Sequence, residues 1–245
     1  MVERIGSLRM TDSTRAEFDD SVAENDLRQL AELPEVKTLQ CSAPVKDSVW
    51  SQLNELFFSR RPDIELRVYG HYSIECDLAF ARRMVNVRRF AADCLMRAKN
   101  VGAIAEIPEL ESLSIGIFEL QDFGVLETVP PTLTTLSLGA TRSKRPHLEA
   151  LARFTSLKAL YLEGQSNGIE VLSQLRELED VTLRSITTAD LGYLAPLERL
   201  WSLDVKLGGI RSFDGIEGKD TIKYLELWQI RELEDANVVA LLQYR

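Results

Sequence analysis

The sequence has no apolar run near the roughly 20 residues that a transmembrane helix needs. Its first ten residues also lack the continuous apolar core of a secretory signal, because Glu3, Arg4 and Arg9 interrupt them. These absences argue against a membrane or secreted protein, and we expect a cytoplasmic one. Aromatic residues make up only 7% of the chain although 45% of it is hydrophobic. The core is therefore expected to be aliphatic.

Cysteine is scarce as well, with three copies, and the odd number leaves at least one thiol unpaired. Free thiols are typical of a reducing compartment. We interpret the cysteines as small buried hydrophobic residues, since Cys41 falls on a core position of the repeat described next.

An apolar-x-x-apolar-x-apolar pattern recurs nine times along the chain, with starts 21 to 27 residues apart. That period is typical of a solenoid with one strand in each coil. Positions one, four and six of each copy are mostly apolar, and this alternation predicts a short strand with one buried face. We therefore predict about nine parallel strands stacked in chain order. The copies begin at Val36, Asp63, Val87, Leu110, Leu133, Leu157, Leu178, Leu200 and Ile222.

The connections between these strands are expected to differ along the chain. Ser48–Ser59 carries apolar residues at the spacing of an amphipathic α-helix, and Leu78–Met84 is predicted to be a second helix. Later connections, such as 148–157, 169–178 and 191–200, have apolar residues three apart, which suits 3-10 turns.

We divide the chain into an N-terminal segment with a capping helix (1–35), the repeats (36–233) and a C-terminal cap or truncated repeat (234–245). Residues 1–20 are expected to be disordered or extended, and residues 20–33 to be helical. The last strand needs cover on its open edge. Three alternatives stay open: a helical cap, the loss of further repeats, or dimerisation through this C-terminal edge.

Residues 191–203, LGYLAPLERLWSL, show the leucine spacing most clearly. The chain resembles the leucine-rich repeat superfamily over about residues 36–233, and its 21–22-residue repeats from Leu157 onward resemble the bacterial internalin type. The resemblance implies an α/β solenoid, with parallel strands on the concave face and short helices or 3-10 turns on the convex face. It implies binding of proteins, but no particular partner. Position nine departs from the family's Asn or Cys, with His71, Leu95, Phe118, Thr141, Gln165, Ile186, Gly208 and Ile230 there.

Positions three, five and seven of each copy point outward, and in the last four strands they combine aromatic with charged residues. Aromatic residues and arginine dominate the energies of protein interfaces, whereas carboxylates supply specificity and steering. We predict that these residues bind a partner. The alternative is that the charges only solvate an exposed sheet and that Trp228 packs on the C-terminal cap. The predicted binding residues are Tyr161, Glu163, Asp180, Arg184, Asp204, Lys206, Tyr224, Glu226 and Trp228.

Two other outward zones are less specific. The middle strands carry a strip of small residues, Ser112, Ser114, Thr135 and Ser137, that either admits a close ligand or is inert. Residues 60–100 form a basic band with a net charge of +4. This band could bind an acidic partner or single-stranded RNA, or its cations could pair with neighbouring carboxylates. We favour the pairing, because aromatic residues on which RNA bases could stack are sparse there. The band contains Arg60, Arg61, Arg82, Arg83, Arg88, Arg89, Arg97 and Lys99.

Catalytic patterns are missing. His71 and His147 are about three coils, or roughly 15 Å, apart at strand spacing, so they cannot share one metal or flank one nucleophile. Gly208 and Gly209 lack the Lys-Ser/Thr that follows in a phosphate-binding loop. We expect no enzyme, no cofactor and no metal site.

The sequence therefore predicts a non-catalytic protein–protein interaction module that presents a concave parallel sheet to a protein partner. The acidic C-terminal half favours a basic partner, and the net charge of −9 disfavours nucleic acid. Two alternatives stay open. One is an inhibitor or immunity-type protein that blocks a basic toxin or enzyme, and the other is a ligand-sensing regulatory subunit.

Overall fold

The computed structural model describes residues 4–70, 75–143 and 146–233. The chain forms two compact units, Met1–Leu120 with Glu127–Pro130, and Gln121–Leu126 with Pro131–Arg245. Each unit is built mainly from parallel strands joined by short helical turns, and the first unit begins with three antiparallel strands. No helix in these described ranges has the length and apolarity to cross a bilayer.

The first unit contains seven strands of the main sheet, in the order β1-β2-β3-β4-β5-β7-β9. The first three pair antiparallel and the rest parallel, while β6 and β8 form a separate ribbon. Their bounds are β1 (Arg4–Ile5), β2 (Leu8–Asp12), β3 (Arg15–Glu17), β4 (Thr38–Cys41), β5 (Glu65–Tyr69), β6 (Glu75–Asp77), β7 (Arg89–Leu95), β8 (Arg97–Lys99) and β9 (Ser112–Ile117). The helical segments are α1 (Glu24–Ala31), α2 (Asp47–Leu53), a π-helical turn (Asn54–Phe58) and 3-10 helices Leu78–Arg83 and Val101–Glu106.

The second unit contains five strands of the main sheet, all parallel, in the order β10-β11-β12-β14-β16. A second ribbon pairs β13 with β15. The bounds are β10 (Thr135–Leu138), β11 (Ala159–Glu163), β12 (Asp180–Arg184), β13 (Thr187–Thr188), β14 (Ser202–Lys206), β15 (Gly209–Ile210) and β16 (Tyr224–Trp228). The 3-10 helices are Gly124–Glu127, which has residues in both units, Glu149–Arg153, Ile169–Gln174 and Gly192–Leu194.

All nine predicted strands are present, and each begins at position three of its repeat. Neighbouring repeat strands within each unit pair equal repeat positions, as Leu160, Val181 and Leu203 do at position four. These three side chains are buried. The exception to equal pairing is the end of β7, where a bulge pairs Leu95 at position nine with Ile117 at position eight.

The predicted alternation of buried and outward residues is confirmed in β10, β11 and β12. It is not seen in β4, where all four residues are buried. A shift of one residue in an alternating strand would turn the apolar set to solvent.

The connections confirm most of the sequence predictions. Residues 47–58 are helical as expected, and the later connections form the predicted 3-10 turns. The prediction of an amphipathic α-helix at 78–84 is wrong, because Leu78–Arg83 is a 3-10 helix. Its buried residues Leu78 and Ala81 and the following Met84 lie three apart, so a threefold turn places them on one side.

The N-terminal segment is extended over β1 to β3, which is one of the two alternatives expected for residues 1–20. Strand β3 pairs with β4 in parallel and places Ala16 beside Leu39, both buried. This pairing occupies the edge of β4, so the first repeat is covered by a small antiparallel sheet as well as by a helix. The helix α1 is shorter than the predicted 20–33, and the predicted C-terminal cap at 234–245 lies outside the described residues.

Several strands are followed, at position eight of the repeat, by a residue with a left-handed backbone conformation. Gly164, Ser185 and Leu207 have φ values of 81°, 54° and 58°. Their amides donate to the position-seven carbonyls of the next coil, over 2.9, 2.8 and 2.8 Å. These backbone hydrogen bonds connect successive coils in place of a side-chain ladder at position nine. Only Gln165 forms a remnant of such a ladder among the described residues, donating to Thr141 Oγ1 at 3.1 Å and to Gly139 O at 3.3 Å.

We predict that Gly164→Ala lowers the free energy of unfolding by about 1–2 kcal/mol, because a left-handed backbone is costly for a residue with Cβ. The new Cβ would lie 3.7 Å from Ala140 Cβ, an ordinary contact, so the loss reports backbone conformation and not a clash. Gly102→Ala is the matched control, since Gly102 has open space and lies in a helical turn. Urea unfolding of both variants gives the comparison, and equal stabilities would contradict the prediction.

A buried carboxylate fastens the N-terminal sheet to α1. Asp26 accepts hydrogen bonds from the Ser7 amide at 2.9 Å and the Ser7 hydroxyl at 2.6 Å. The Ser7 hydrogen bonds hold the pKa of Asp26 below its usual value. Gly6 makes room for this contact, since a Cβ there would lie 2.0 Å from Asp26 Oδ1.

We predict that Asp26→Asn destabilises the protein at pH 7 by about 1.5–3 kcal/mol, the range for hydrogen bonds to a charged group. Because the folded pKa lies below the unfolded one, the stabilisation is complete above the unfolded pKa and disappears as the pH falls through the folded pKa. The wild type and the variant should therefore converge below about pH 4. Thermal unfolding from pH 7 to pH 3 measures this, with the exposed Glu32→Gln as control. A gap that does not depend on pH would refute the role of the Asp26 charge.

Candidate functional site

The predicted binding residues all lie on the outer side of β11, β12, β14 and β16, within the second unit. The strand register places them in three rows. Position three aligns Asp180 with Ser202 and Tyr224. The row at position five is Tyr161, Thr182, Asp204 and Glu226, and the row at position seven is Glu163, Arg184, Lys206 and Trp228. The parallel pairing thus brings together residues that are about 65 positions apart in the sequence.

Hydrogen bonds join most of these side chains into two chains of contacts. Glu163 accepts from the Tyr161 hydroxyl and from Arg184, both at 3.1 Å. Across β14 and β16, Lys206 lies 3.2 Å from Asp204 Oδ2 and 3.0 Å from Glu226 Oε2.

The Glu226 carboxylate also accepts from the Tyr224 hydroxyl at 3.0 Å. The Lys206 and Tyr224 hydrogen bonds hold the pKa of Glu226 below its usual value, and the same contact with Glu226 raises the pKa of Lys206. Both groups are therefore charged at neutral pH, and the side chains are fixed before any partner binds.

One carboxylate on this face is not neutralised. Asp180 has no ion pair or hydrogen bond with a described side chain. Asp204 is paired with Lys206 through Oδ2, and its buried Oδ1 has no hydrogen-bond partner among the described residues. Four carboxylates, at 163, 180, 204 and 226, stand against two cations, at 184 and 206, which leaves a net charge of −2. The face can therefore accept a cation.

Large exposed apolar side chains concentrate at the same place. Among the described residues they are Val85 (51% exposed), Trp201 (46%), Tyr224 (46%) and Trp228 (54%), and three of the four belong to the last two repeats. Tyr161 is half-buried. Single exposed apolar residues are ordinary, but grouped ones mark interaction surfaces.

Trp201 was not among the predicted residues because it occupies position two, which the outward alternation leaves out. Its carbonyl accepts from the amides of Lys223 and Tyr224 at 2.8 and 2.9 Å, so it lies beside the start of β16. The signal in the sequence was that no other repeat has an aromatic residue at position two.

The basic band of the first unit is largely paired with carboxylates, as favoured from the sequence. Six of its eight cations form ion pairs with described residues. Most of these pairs are exposed, so they contribute little stability but do neutralise the band. Arg60 and Arg89 have no ion pair within the described ranges. The six pairs are Arg61–Asp63, Arg82–Glu106, Arg83–Asp47, Arg88–Glu109, Arg97–Glu119 and Lys99–Glu75.

The residues considered for chemistry are dispersed. His71 lies outside the described residues, and His147 packs against Gly168 with Glu149 3.9 Å away. Over residues 4–70, 75–143 and 146–233, no three histidine, cysteine or acidic side chains group as metal ligands. Cys41 is buried as predicted, whereas Cys76 and Cys94 are half-buried. That the protein is not an enzyme stays a prediction.

No family model and no curated protein sequence matches the chain. Solved structures do match it. Internalin C2 of Listeria monocytogenes is 20% identical, with a TM-score of 0.56 over 85% of this chain and 84% of that chain. A leucine-rich repeat protein of Leptospira interrogans is 16% identical, with a TM-score of 0.58 over 92% of this chain and 57% of the other.

The chain has a leucine-rich repeat fold. A third match, in the Toll–Spätzle complex of Drosophila, is 13% identical with a TM-score of 0.60, and it covers 91% of this chain but 32% of that one. These likenesses and the strand ladder confirm the predicted leucine-rich repeat architecture with internalin-like repeats. At such low identities these matches show the fold but not the function of any residue.

Proposed function

We propose that this leucine-rich repeat protein is a non-catalytic interaction module that binds a basic protein partner. The binding surface is the outer side of β11, β12, β14 and β16 together with Trp201. The observation that carries the proposal is the grouping of three exposed aromatic side chains on a face with a net charge of −2, where Asp180 has no ion pair with a described residue. Cytoplasmic location belongs to the same proposal.

The aromatic residues supply the energy of binding in this proposal. Tryptophan and tyrosine bury large areas at low cost in conformational entropy and are enriched among interface hot spots. The Trp201 carbonyl, just before β14, accepts from the amide of Tyr224, the first residue of β16, and Trp228 lies at the far end of β16. A partner that spans the length of β16 would contact all three aromatic side chains.

The charges supply selectivity. Asp180 is offset by no described cation on this face, because Arg184 pairs with Glu163 and Lys206 with Asp204 and Glu226. A lysine or arginine of the partner would therefore gain an ion pair with Asp180 without displacing an internal one. A net negative face also steers a basic protein towards it and repels the phosphates of nucleic acid. These charges support a basic protein over RNA or an anionic membrane surface.

The surface is also preorganised. Lys206, Glu226 and Tyr224 already hold one another in place, which lowers the side-chain entropy lost on binding. The match to the Toll–Spätzle complex supports binding of proteins by this fold in general.

The same surface serves the first alternative, an inhibitor or immunity-type protein, because blocking a basic toxin or enzyme needs a fixed acidic face. The alternative of a ligand-sensing regulatory subunit stays a prediction without a supporting contact. Dimerisation through the C-terminal edge also stays a prediction, since residues 234–245 lie outside the described part of the chain.

We predict that a variant with Tyr161, Tyr224 and Trp228 changed to alanine loses partner binding by 100-fold or more, since each hot-spot truncation costs about 2 kcal/mol or more. The partner is first captured from the native cell with the wild type, and its affinity is then measured by calorimetry. The Trp201→Ala variant should weaken binding as well. Val85→Ala is the matched control, because it removes an equally exposed apolar side chain from the first unit.

The charge component is tested with Asp180→Lys. Reversing this charge should weaken binding about tenfold in 50 mM salt and much less in 0.5 M salt, where charges are screened. Unchanged affinity of the triple alanine variant, together with a normal far-UV spectrum, would contradict the assignment of the binding surface. Tighter binding of Asp180→Lys, or capture of RNA in place of protein, would overturn the basic protein partner.

A further inference from the structure

The first unit contains a cavity of about 240 Å³ where strands β4 and β5 end. Cys41 and Val68 of these strands line it on one side, and Trp50 of α2 with Phe80 of the following 3-10 helix line it on another. The rest of the lining is mostly apolar. None of the residues of the proposed protein-binding surface lines this cavity.

The aromatic side of the cavity is held in place by its neighbours. Trp50 and Phe80 stack with ring centroids 3.8 Å apart and planes 8° from parallel. Phe18 meets Trp50 edge-on at 5.7 Å, and Phe90 meets Phe80 at 6.1 Å. All four rings are buried. They form one packed cluster, so the rings cannot turn to fill the space beside them.

The size of the cavity sets the size of the ligand. Apolar cavities of about 150 Å³ bind benzene in water. A space of about 240 Å³ therefore has room for a bicyclic ring such as indole. Burial raises the pKa of the Cys76 thiol to about 11, so this side chain is uncharged at neutral pH and adds to the apolar lining.

The polar part of the lining is acidic. Asp47, Glu75 and Asp77 line the cavity, and no lysine or arginine among the described residues does. Arg83 and Lys99 form ion pairs with Asp47 and Glu75 but are not part of the lining. The hydrogen bond from Asn100 holds the pKa of Asp77 below its usual value, so this carboxylate remains charged.

We infer that this cavity binds a small aromatic amine, with the ring beside Trp50 and Phe80 and the protonated amino group among Asp47, Glu75 and Asp77. The stacked rings select a flat apolar body. The carboxylates select a positive charge on it. This site is independent of the protein-binding surface.

Three probes with one ring system test the inference: tryptamine, indole and indole-3-acetate, which carry charges of +1, 0 and −1. Calorimetric titration of the full chain should give binding in the order tryptamine, indole, indole-3-acetate. Tryptamine should bind about tenfold more tightly than indole, because three carboxylates against Arg83 and Lys99 leave one uncompensated negative charge at the edge of water. No heat from any probe at millimolar concentration, or the reverse order, would overturn the inference.

Two kinds of variant locate the binding. Cys76→Phe and Ala79→Phe each add a ring to a half-buried lining position and should abolish binding of all three probes. Glu75→Gln should reduce only the preference for tryptamine over indole, by about threefold. The control is Glu106→Gln. Glu106 is an exposed carboxylate of the same unit that is paired with a cation, as Glu75 is, but it does not line the cavity.

Thermal unfolding confirms that each variant is folded before titration, and the two filling variants stand in for each other if one does not fold. Undiminished binding in a folded filling variant would place the probes elsewhere and contradict the inference. An equal loss of tryptamine preference in Glu75→Gln and Glu106→Gln would show general charge attraction, which contradicts the role of the lining carboxylates.

Discussion

The structure depends on one constraint, the burial of apolar residues at equal positions of successive repeats. Leu160, Val181 and Leu203 show it, since each pairs with its counterpart in the next coil and is buried. Because side chains alternate along a strand, this register also decides which residues face outward. The composition of the outer face can vary freely as long as the buried ladder is kept. A solenoid can therefore change its binding surface without changing its fold.

The backbone at position eight reinforces the same register. Each left-handed residue there turns its amide towards a carbonyl of the next coil, as Ser185 and Leu207 do. The hydrogen bond itself needs no particular side chain, because a main-chain group makes it. This explains how the chain keeps its coils aligned although the asparagine or cysteine ladder of position nine is missing, with Gln165 as its one described remnant.

Much of the architecture could be predicted from the sequence, and the exceptions have physical reasons. All nine strands follow from apolar spacing, but β1 to β3 are too short to show a period, and they are stabilised by pairing with β4 and by Asp26. The turn at 78–83 was assigned to the wrong helix type because three-residue and 3.6-residue spacings hardly differ over six residues. The outer-face residues could be predicted, whereas the ion pairs of Lys206 and the cavity beside Trp50 depend on side-chain positions that no spacing encodes.

Native-state hydrogen exchange of the position-eight amides tests the account of the ladder most directly. The amides of Ser185 and Leu207 should be protected nearly as well as those inside β12 and β14, because their bonds to Lys206 and Trp228 carbonyls can open only when coils separate. Exchange of these two amides at the rate of unstructured peptide, with the strands still protected, would contradict it. In that case the buried side chains alone would hold the coils in register.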